Sequence, residues 1–331
     1  MHPNPFPDVF DVYAYGMISS STLYILKQPF PAPDGYAELD RSYRMTGGEA
    51  CNSAIVLSRL GVKVLLDGVW LGDTSDGRWL LETLNGFGIC TSPLRTEPGY
   101  EGVREIVISD EHSRTILGNY IQLLSTTRQW DIPRKEHLAS ARLACIDPFF
   151  TEESHMAGQY AVESGIPYIT IDCPYDGALA QNAAGLIISG EFRAREHSQA
   201  DLLSLFTEYQ QRVKGLLIFT CGNEEVLFGR QDQGIQRFPA YKVKAIDTAG
   251  AGDAFRSGVI YGLLHGWDDL ETIRYASALA AIICTRFPGV LDCPTHQEVL
   301  EFMYLCSTSL IPTSYPSPSN TASGPGQPRP K

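Results

Sequence analysis

Short apolar runs recur at residues 9–18, 62–66, 143–146, 168–171, 186–188 and 216–219, with helical patterns in most of the intervals between them. Few of these runs alternate strictly with polar residues, so they read as strands buried on both faces. A helix between successive strands returns the chain to the same end of a sheet and makes the strands parallel. The pattern predicts an α/β fold: a doubly wound, mostly parallel sheet with helices on both faces. A chain of 331 residues suffices for one such domain with a small appendage. Two stretches break the pattern. Residues 23–46 carry Pro29, Pro31, Pro33 and Gly35, and residues 95–121 carry a turn around 109–112. Both read as partly exposed strands, expected to form a small β-sheet lid standing off the main body. From 307 to 331 Ser, Thr, Pro and Gly dominate without apolar period, the composition of a disordered tail.

The chemistry concentrates in Asp247-Thr248-Ala249-Gly250-Ala251-Gly252-Asp253-Ala254-Phe255. Before it, Tyr241, Val243 and Ala245 alternate with Lys242 and Lys244, which predicts a strand with one buried face. After it, residues 255–264 are apolar nearly all round and end near His265-Gly266, a buried helix with a glycine stop. Small side chains at such a turn let an anion approach the backbone, where the free N–H groups of the first helical turn point at it. Asp253 would repel a phosphate unless it takes a proton beside one. The combination points to phosphoryl transfer, with amides of the first helical turn for the developing charge and a carboxylate, Asp253, for the attacking hydroxyl. The plainer alternative is that Asp247 or Thr248 caps a core helix and the glycines permit close packing.

A net charge of −12 with no Lys/Arg run argues against a nucleic-acid surface, although backbone amides alone can hold a nucleotide's phosphates. Eight cysteines without a CxxC pair, and seven histidines without metal spacing, fit buried thiols in a reducing cytosol better than a disulfide frame or a zinc site. The start, Met1-His2-Pro3-Asn4-Pro5, lacks a signal-peptide pattern, and no run of about 18 apolar residues exists to span a membrane. A cytoplasmic protein with no membrane partner is expected.

The 247–255 stretch resembles, almost residue for residue, the second signature of the ribokinase-like (PfkB-type) carbohydrate kinases. Gly47-Gly48 followed by Asn52 is similar to that family's first signature, and Gly72-Asp73 with Gly77 to its Gly-Asp-x-x-x-Gly loop. Thr220-Cys221-Gly222 resembles the segment that lines the nucleotide, and Arg286-Phe287-Pro288-Gly289 the late loop beside the adenine. The resemblance covers about residues 9 to 305 and implies a ribokinase-like kinase domain over 1–306. It implies ATP with Mg²⁺ as donor and a homodimer through the lid. Carried over residue by residue, Asp253 is the general base, and Gly250, Ala251 and Gly252 form the anion hole. Asp247 and Thr248 hold the loop or border a monovalent cation (K⁺) site; Thr220, Gly222 and Gly289 line the nucleotide. Gly47, Gly48 and Asn52 face the acceptor.

The departures are informative. Ser21 stands where the family commonly places an aspartate that grips two sugar hydroxyls, and Ser19 where an asparagine is frequent. A serine offers one neutral hydrogen bond where a carboxylate accepts two charge-assisted ones. The usual clamp is therefore missing, or supplied by Asp34, Asp40 or another lid residue. Glu49 replaces a position often basic or small, which disfavours an acceptor already bearing phosphate. The family's Asn-x-x-Glu segment has no clean counterpart; Glu191 is the candidate metal-side carboxylate, or else an ordinary helix-start residue. The resemblance implies ATP-dependent phosphorylation of a hydroxyl on a small carbohydrate-like molecule. The alternatives are a nucleoside kinase, needing a base-stacking pocket near Phe30, Tyr36 or Tyr120, and a catalytically silent binding protein.

Overall fold

The computed structural model describes residues 10–110, 113–125 and 127–308. Its strands, in chain order, are β1 (Phe10–Gly16), β2 (Ser19–Leu26), β3 (Leu39–Gly47), β4 (Val64–Gly68), β5 (Leu71–Gly72), β6 (Thr96–Glu97) and β7 (Arg104–Ser109). They continue as β8 (Arg114–Gly118), β9 (Ala141–Ile146), β10 (Tyr168–Ile171), β11 (Gly185–Ile188), β12 (Leu216–Thr220), β13 (Glu225–Gly229) and β14 (Gln236–Pro239). Eight of them form the main sheet in the order β14-β13-β12-β11-β10-β9-β1-β4. From β4 to β12 every pairing is parallel; β13 and β14 extend the sheet antiparallel.

The apolar runs make the central strands: Val12, Tyr13, Ala14 and Tyr15 of β1 and Ala144, Cys145 and Ile146 of β9 are fully buried. The winding reverses at β1, which has β4 on one side and β9 on the other. Such a reversal leaves a crevice outside the carboxyl ends of the two strands where the connections part. Met17 follows β1 there and Asp147 follows β9. The helices Glu49–Arg59 and Ala251–His265 pack against one another beside this crevice, and Asp269–Cys284 packs on the second.

A separate sheet of four strands runs β3-β2-β7-β8. One face packs Leu23, Met45 and Val107 with Ile25, Tyr43 and Phe287. On the other, Ile106 and Leu117, directly opposite each other on β7 and β8, are 42% and 53% exposed.

Three expectations are revised. The run 9–18 is not one strand throughout; β1 stops at Gly16, the chain turns at Met17 and Ile18, where Asp147 Oδ2 accepts the Met17 N–H at 2.8 Å, and β2 starts at Ser19. Residues 241–246 form no strand, and Ile246 is 67% exposed. Their alternation has another cause: Tyr241 turns inward onto Phe238 and Phe302, while β14 already closes the sheet edge at 236–239. The helix His296–Thr308 carries on through two residues assigned to the tail; the rest of that tail, 309–331, lies outside the described residues. Among the described residues no helix is long and apolar enough to cross a membrane.

Candidate active site

The helix Ala251–His265 starts at Gly250, whose φ of 76° and ψ of 2° are left-handed. No side chain caps this end. A Cβ at Gly250 would also run into Val290 Cγ2, so the position excludes larger residues twice over. Ala251 N–H donates to the Thr248 carbonyl at 3.2 Å, and Ala254 N–H to Gly250 at 2.9 Å. The N–H groups of Gly250, Gly252 and Asp253 have no main-chain acceptor among the described residues, whereas that of Ala251 is taken. An anion at this mouth meets these open amides and the positive end of a helix of 15 residues. Gly250→Ala should lower stability by about 1–3 kcal/mol through the left-handed backbone and the Val290 contact, measured by urea denaturation. A loss below about 0.5 kcal/mol would show that the turn relaxes freely.

Asp253 is aimed by its neighbours. Asn52 Nδ2 donates to Asp253 Oδ2 at 2.8 Å, and Thr46 Oγ1 donates to Asn52 Oδ1 at 3.0 Å. The amide is thereby held with its nitrogen toward the carboxylate. Beneath them, Asp147 and Arg256 form an ion pair of 2.5 Å with both side chains at most 1% exposed. Asp147 Oδ2 also accepts the N–H groups of Met17 and Ala50, at 2.8 and 3.0 Å. One carboxylate thus pins the exit of β1, the start of the Glu49–Arg59 helix and the Ala251–His265 helix.

Above this floor opens a cavity of about 780 Å³ between the main body and the small sheet. Of the residues singled out in the sequence, Ser21, Gly47, Gly48, Asn52, Asp247, Gly250 and Asp253 line it. Ser19 lies just behind, its hydroxyl 3.0 Å from that of Tyr120, which does line the cavity. Gly47 has no room for a Cβ, which would strike Glu105 and Ser19. Asp40 reaches the cavity and Asp34 does not. Thr248, Ala251 and Gly252 sit at the helix mouth outside the lining. Thr220 ends β12, its carbonyl accepting from Arg193 at 2.9 Å, and Gly222 follows in a turn at φ 61°. A Cβ on Gly289 would touch Ile283 and the Ala249 carbonyl, so the 286–289 loop abuts the signature loop. Glu191 is exposed in the first turn of the helix Gly190–Glu196; burial raises the nearby Asp172 carboxyl above its ordinary range, and the Glu191 charge adds a smaller push.

Sequence reasoning missed Glu105 and Tyr43 in the lining, and Arg256 beneath it, while Phe287 of the 286–289 loop it had singled out lines the cavity. Tyr43 and Phe287 meet edge to face at 4.4 Å, joining the small sheet to the 286–289 loop. Arg256 carried a signal, since a lone charge inside an apolar helix asks for a buried partner.

Asp253 and Glu49 are both half-buried by surface, yet their carboxyls lie deep. Burial pushes the Asp253 carboxyl above the usual carboxylate range, opposed by the Asn52 hydrogen bond and the Arg256 charge. Burial, then the charges of Asp147 and Asp253, pushes Glu49 up likewise. Among the described residues no three His, Cys, Asp or Glu side chains converge as a metal site.

The profile of the pfkB family of carbohydrate kinases matches residues 187–295. Over 302 residues the chain is 25% identical to a ribokinase of Haemophilus influenzae, an alignment spanning 85% of this chain and 94% of that one. It is 26% identical over 264 residues to a nucleoside kinase of Methanothermobacter thermautotrophicus, spanning 77% and 83%. The fold is shared with Arabidopsis thaliana ribokinase, solved with ribose and ATP, at a TM-score of 0.76 and 15% identity over 89% of this chain and 99% of that one.

Proposed function

We propose that this chain is a ribokinase-like kinase of the pfkB type, transferring phosphate from ATP to a hydroxyl of a small sugar or sugar-like molecule, a reading supported by the family match over 187–295 and the likeness to ribokinases, and that its residues divide the work as follows. Asp253 takes the proton of the acceptor hydroxyl. The freed oxygen forms a bond to the γ-phosphorus, the bond from that phosphorus to the bridging oxygen breaks, and ADP leaves with the electron pair. The open amides of Gly252 and Asp253, with Gly250 shaping their turn, face the charge on the transferring group. The Asn52 bond to Asp253 carries this reading, because it holds the carboxylate on the cavity floor beside the helix mouth.

Thr220, Gly222 and Gly289 border the nucleotide, and Gly47, Gly48 and Ser21 border the acceptor. A divalent ion would arrive on the nucleotide's phosphates and neutralise their charge, since the described residues offer single carboxylates such as Glu191 and no converging set. A monovalent cation fits near Asp247 and the adjoining carbonyls of the signature and 286–289 loops, where it would steady the loop's negative ends. The small sheet serves as a lid that excludes water from the cavity. Its outer face, with Ile106 and Leu117 exposed, is the place for a second copy to pair.

The nucleoside reading keeps one supporting observation. Phe30 and Tyr36 do not line the cavity, but Tyr120 does, as do Tyr43 and Phe287, and an aromatic corner can stack a base. ATP consumption against a panel of sugars, polyols and nucleosides, with Asp253→Asn as blank, tests the proposal. Turnover above blank is expected with an acceptor carrying free hydroxyls; a phosphorylated acceptor should be poor because of Glu49. Nucleotide binding without turnover anywhere on the panel would favour the silent binding protein.

A further inference from the structure

Two cations, Lys27 and Arg41, line the cavity, and each is tied to a carboxylate at its rim: Lys27 to Glu38 at 3.0 Å and Arg41 to Asp40 at 2.9 Å. On the floor the one deep cation among the described residues is Arg256, and its bond goes to Asp147. Glu49 and Asp253 therefore share the inner cavity with Glu105 as acidic side chains. Asp253 has the Asn52 amide as a donor. The Glu49 carboxyl accepts a hydrogen bond from its own main-chain N–H and pairs with no cation among the described residues, although it lines the cavity and lies deep enough for burial to dominate its proton affinity.

A half-enclosed carboxylate beside others is costly in its charged form unless a proton or a cation neutralises it, and burial raises the Glu49 proton affinity accordingly. Several ligand chemistries compete for it. A phosphorylated acceptor brings like charge and is excluded. A metal ion lacks its ligand set, as no three donor side chains converge among the described residues. A neutral polyol brings no charge to the acidic wall of Glu49, Glu105 and Asp253, whose nearest deep cation, Arg256, is committed to Asp147. A protonated amine supplies the missing charge and up to three donors.

We propose that the acceptor is an amino sugar or amino polyol, its ammonium group held by Glu49 while a hydroxyl of the same molecule reaches Asp253. This rests on the kinase reading and narrows its substrate class. Glu49 is suited to the task because its backbone is fixed: the next residue's N–H is bound to Asp147, and Gly48 before it takes a φ of 87°. The same charge would discriminate against N-acetylated relatives, which lose the cation and gain bulk. With Ser21 supplying at most a neutral hydroxyl contact, the charge at Glu49 becomes the strongest polar anchor on the acceptor side.

The test compares matched acceptors by ADP release and by calorimetry on the full chain: glucosamine against glucose and N-acetylglucosamine, and 1-amino-1-deoxysorbitol against sorbitol. A charge-assisted contact predicts that kcat/KM, or affinity, favours the amine by about 10- to 100-fold. Glu49→Gln should bring that ratio close to one, and Glu49→Asp should restore part of it. Equal use of neutral and amino acceptors overturns the inference while leaving the kinase intact. Absence of turnover on every acceptor counts against the kinase reading instead, and calorimetry then decides: amine binding that Glu49→Gln weakens supports the site, and no amine binding overturns it. If Glu49→Gln does not fold, the wild-type ratio alone decides between the two.

Discussion

Asp253→Asn should bind nucleotide nearly as tightly as the wild type while phosphoryl transfer falls by about 10²- to 10⁴-fold, the range for loss of a positioned base. The asparagine keeps size and a hydrogen-bonding oxygen for Asn52 but cannot take the acceptor's proton. Titration calorimetry with an ATP analogue and single-turnover phosphoryl transfer separate the two effects. The active form is the carboxylate, so kcat/KM should fall as pH drops. Burial raises the Asp253 pKa, while Asn52 and Arg256 oppose the rise, and Asp147, Glu105 and Glu49 also bear on its charge. Removing the amide in Asn52→Ala should therefore move the acid limb to higher pH. An Asp253→Asn enzyme turning over at the wild-type rate would assign the base elsewhere, and an acid limb unmoved in Asn52→Ala would detach the hydrogen bond from the carboxylate's charge.

The second large effect lies below the cavity. Asp147→Ala should destabilise the protein by about 3–5 kcal/mol, because it leaves the Arg256 charge buried without its partner. It also strips the Met17 and Ala50 amides of their acceptor. Arg256→Met alone should be costly for the mirror reason. The double variant Asp147→Asn with Arg256→Met should lose less than the two single losses combined, since no unpaired charge remains. Urea denaturation of the wild type, Asp147→Asn, Arg256→Met and the double variant closes the cycle. Single losses under about 1 kcal/mol, or strict additivity, would mean that the pair is not the keystone its burial suggests.

The parts of this architecture written in local pattern were legible beforehand. The apolar runs gave β9 to β12, and the glycine-rich turn before an apolar stretch gave the helix Ala251–His265. Pairing of Gly47-Gly48 with Asn52 placed three residues on the cavity wall. Where local pattern misled, a distant contact had overruled it. Tyr241 alternates like a strand residue but packs on Phe302 of the helix His296–Thr308. The hairpin β13–β14 escaped notice because its strands are five and four residues long and its turn is rich in Gln, Asp and Gly. Asp147 follows an apolar run, and nothing beside it in the sequence shows a partner. Its importance comes from Arg256, which lies 109 residues further on, and no window of sequence contains both.

That separation has a consequence for how the protein comes into being. The bond between Asn52 and Asp253 spans 201 residues, and the one between Met17 and Asp147 spans 130. Loops that long close late, after nearer contacts have formed. A growing chain emerging from the ribosome holds its asparagine and its hub aspartate well before the signature turn has been synthesised. The reactive centre is thus a property of the finished sheet rather than of any fragment, and the first phosphorylated product doubles as a report that the whole chain has reached its native form.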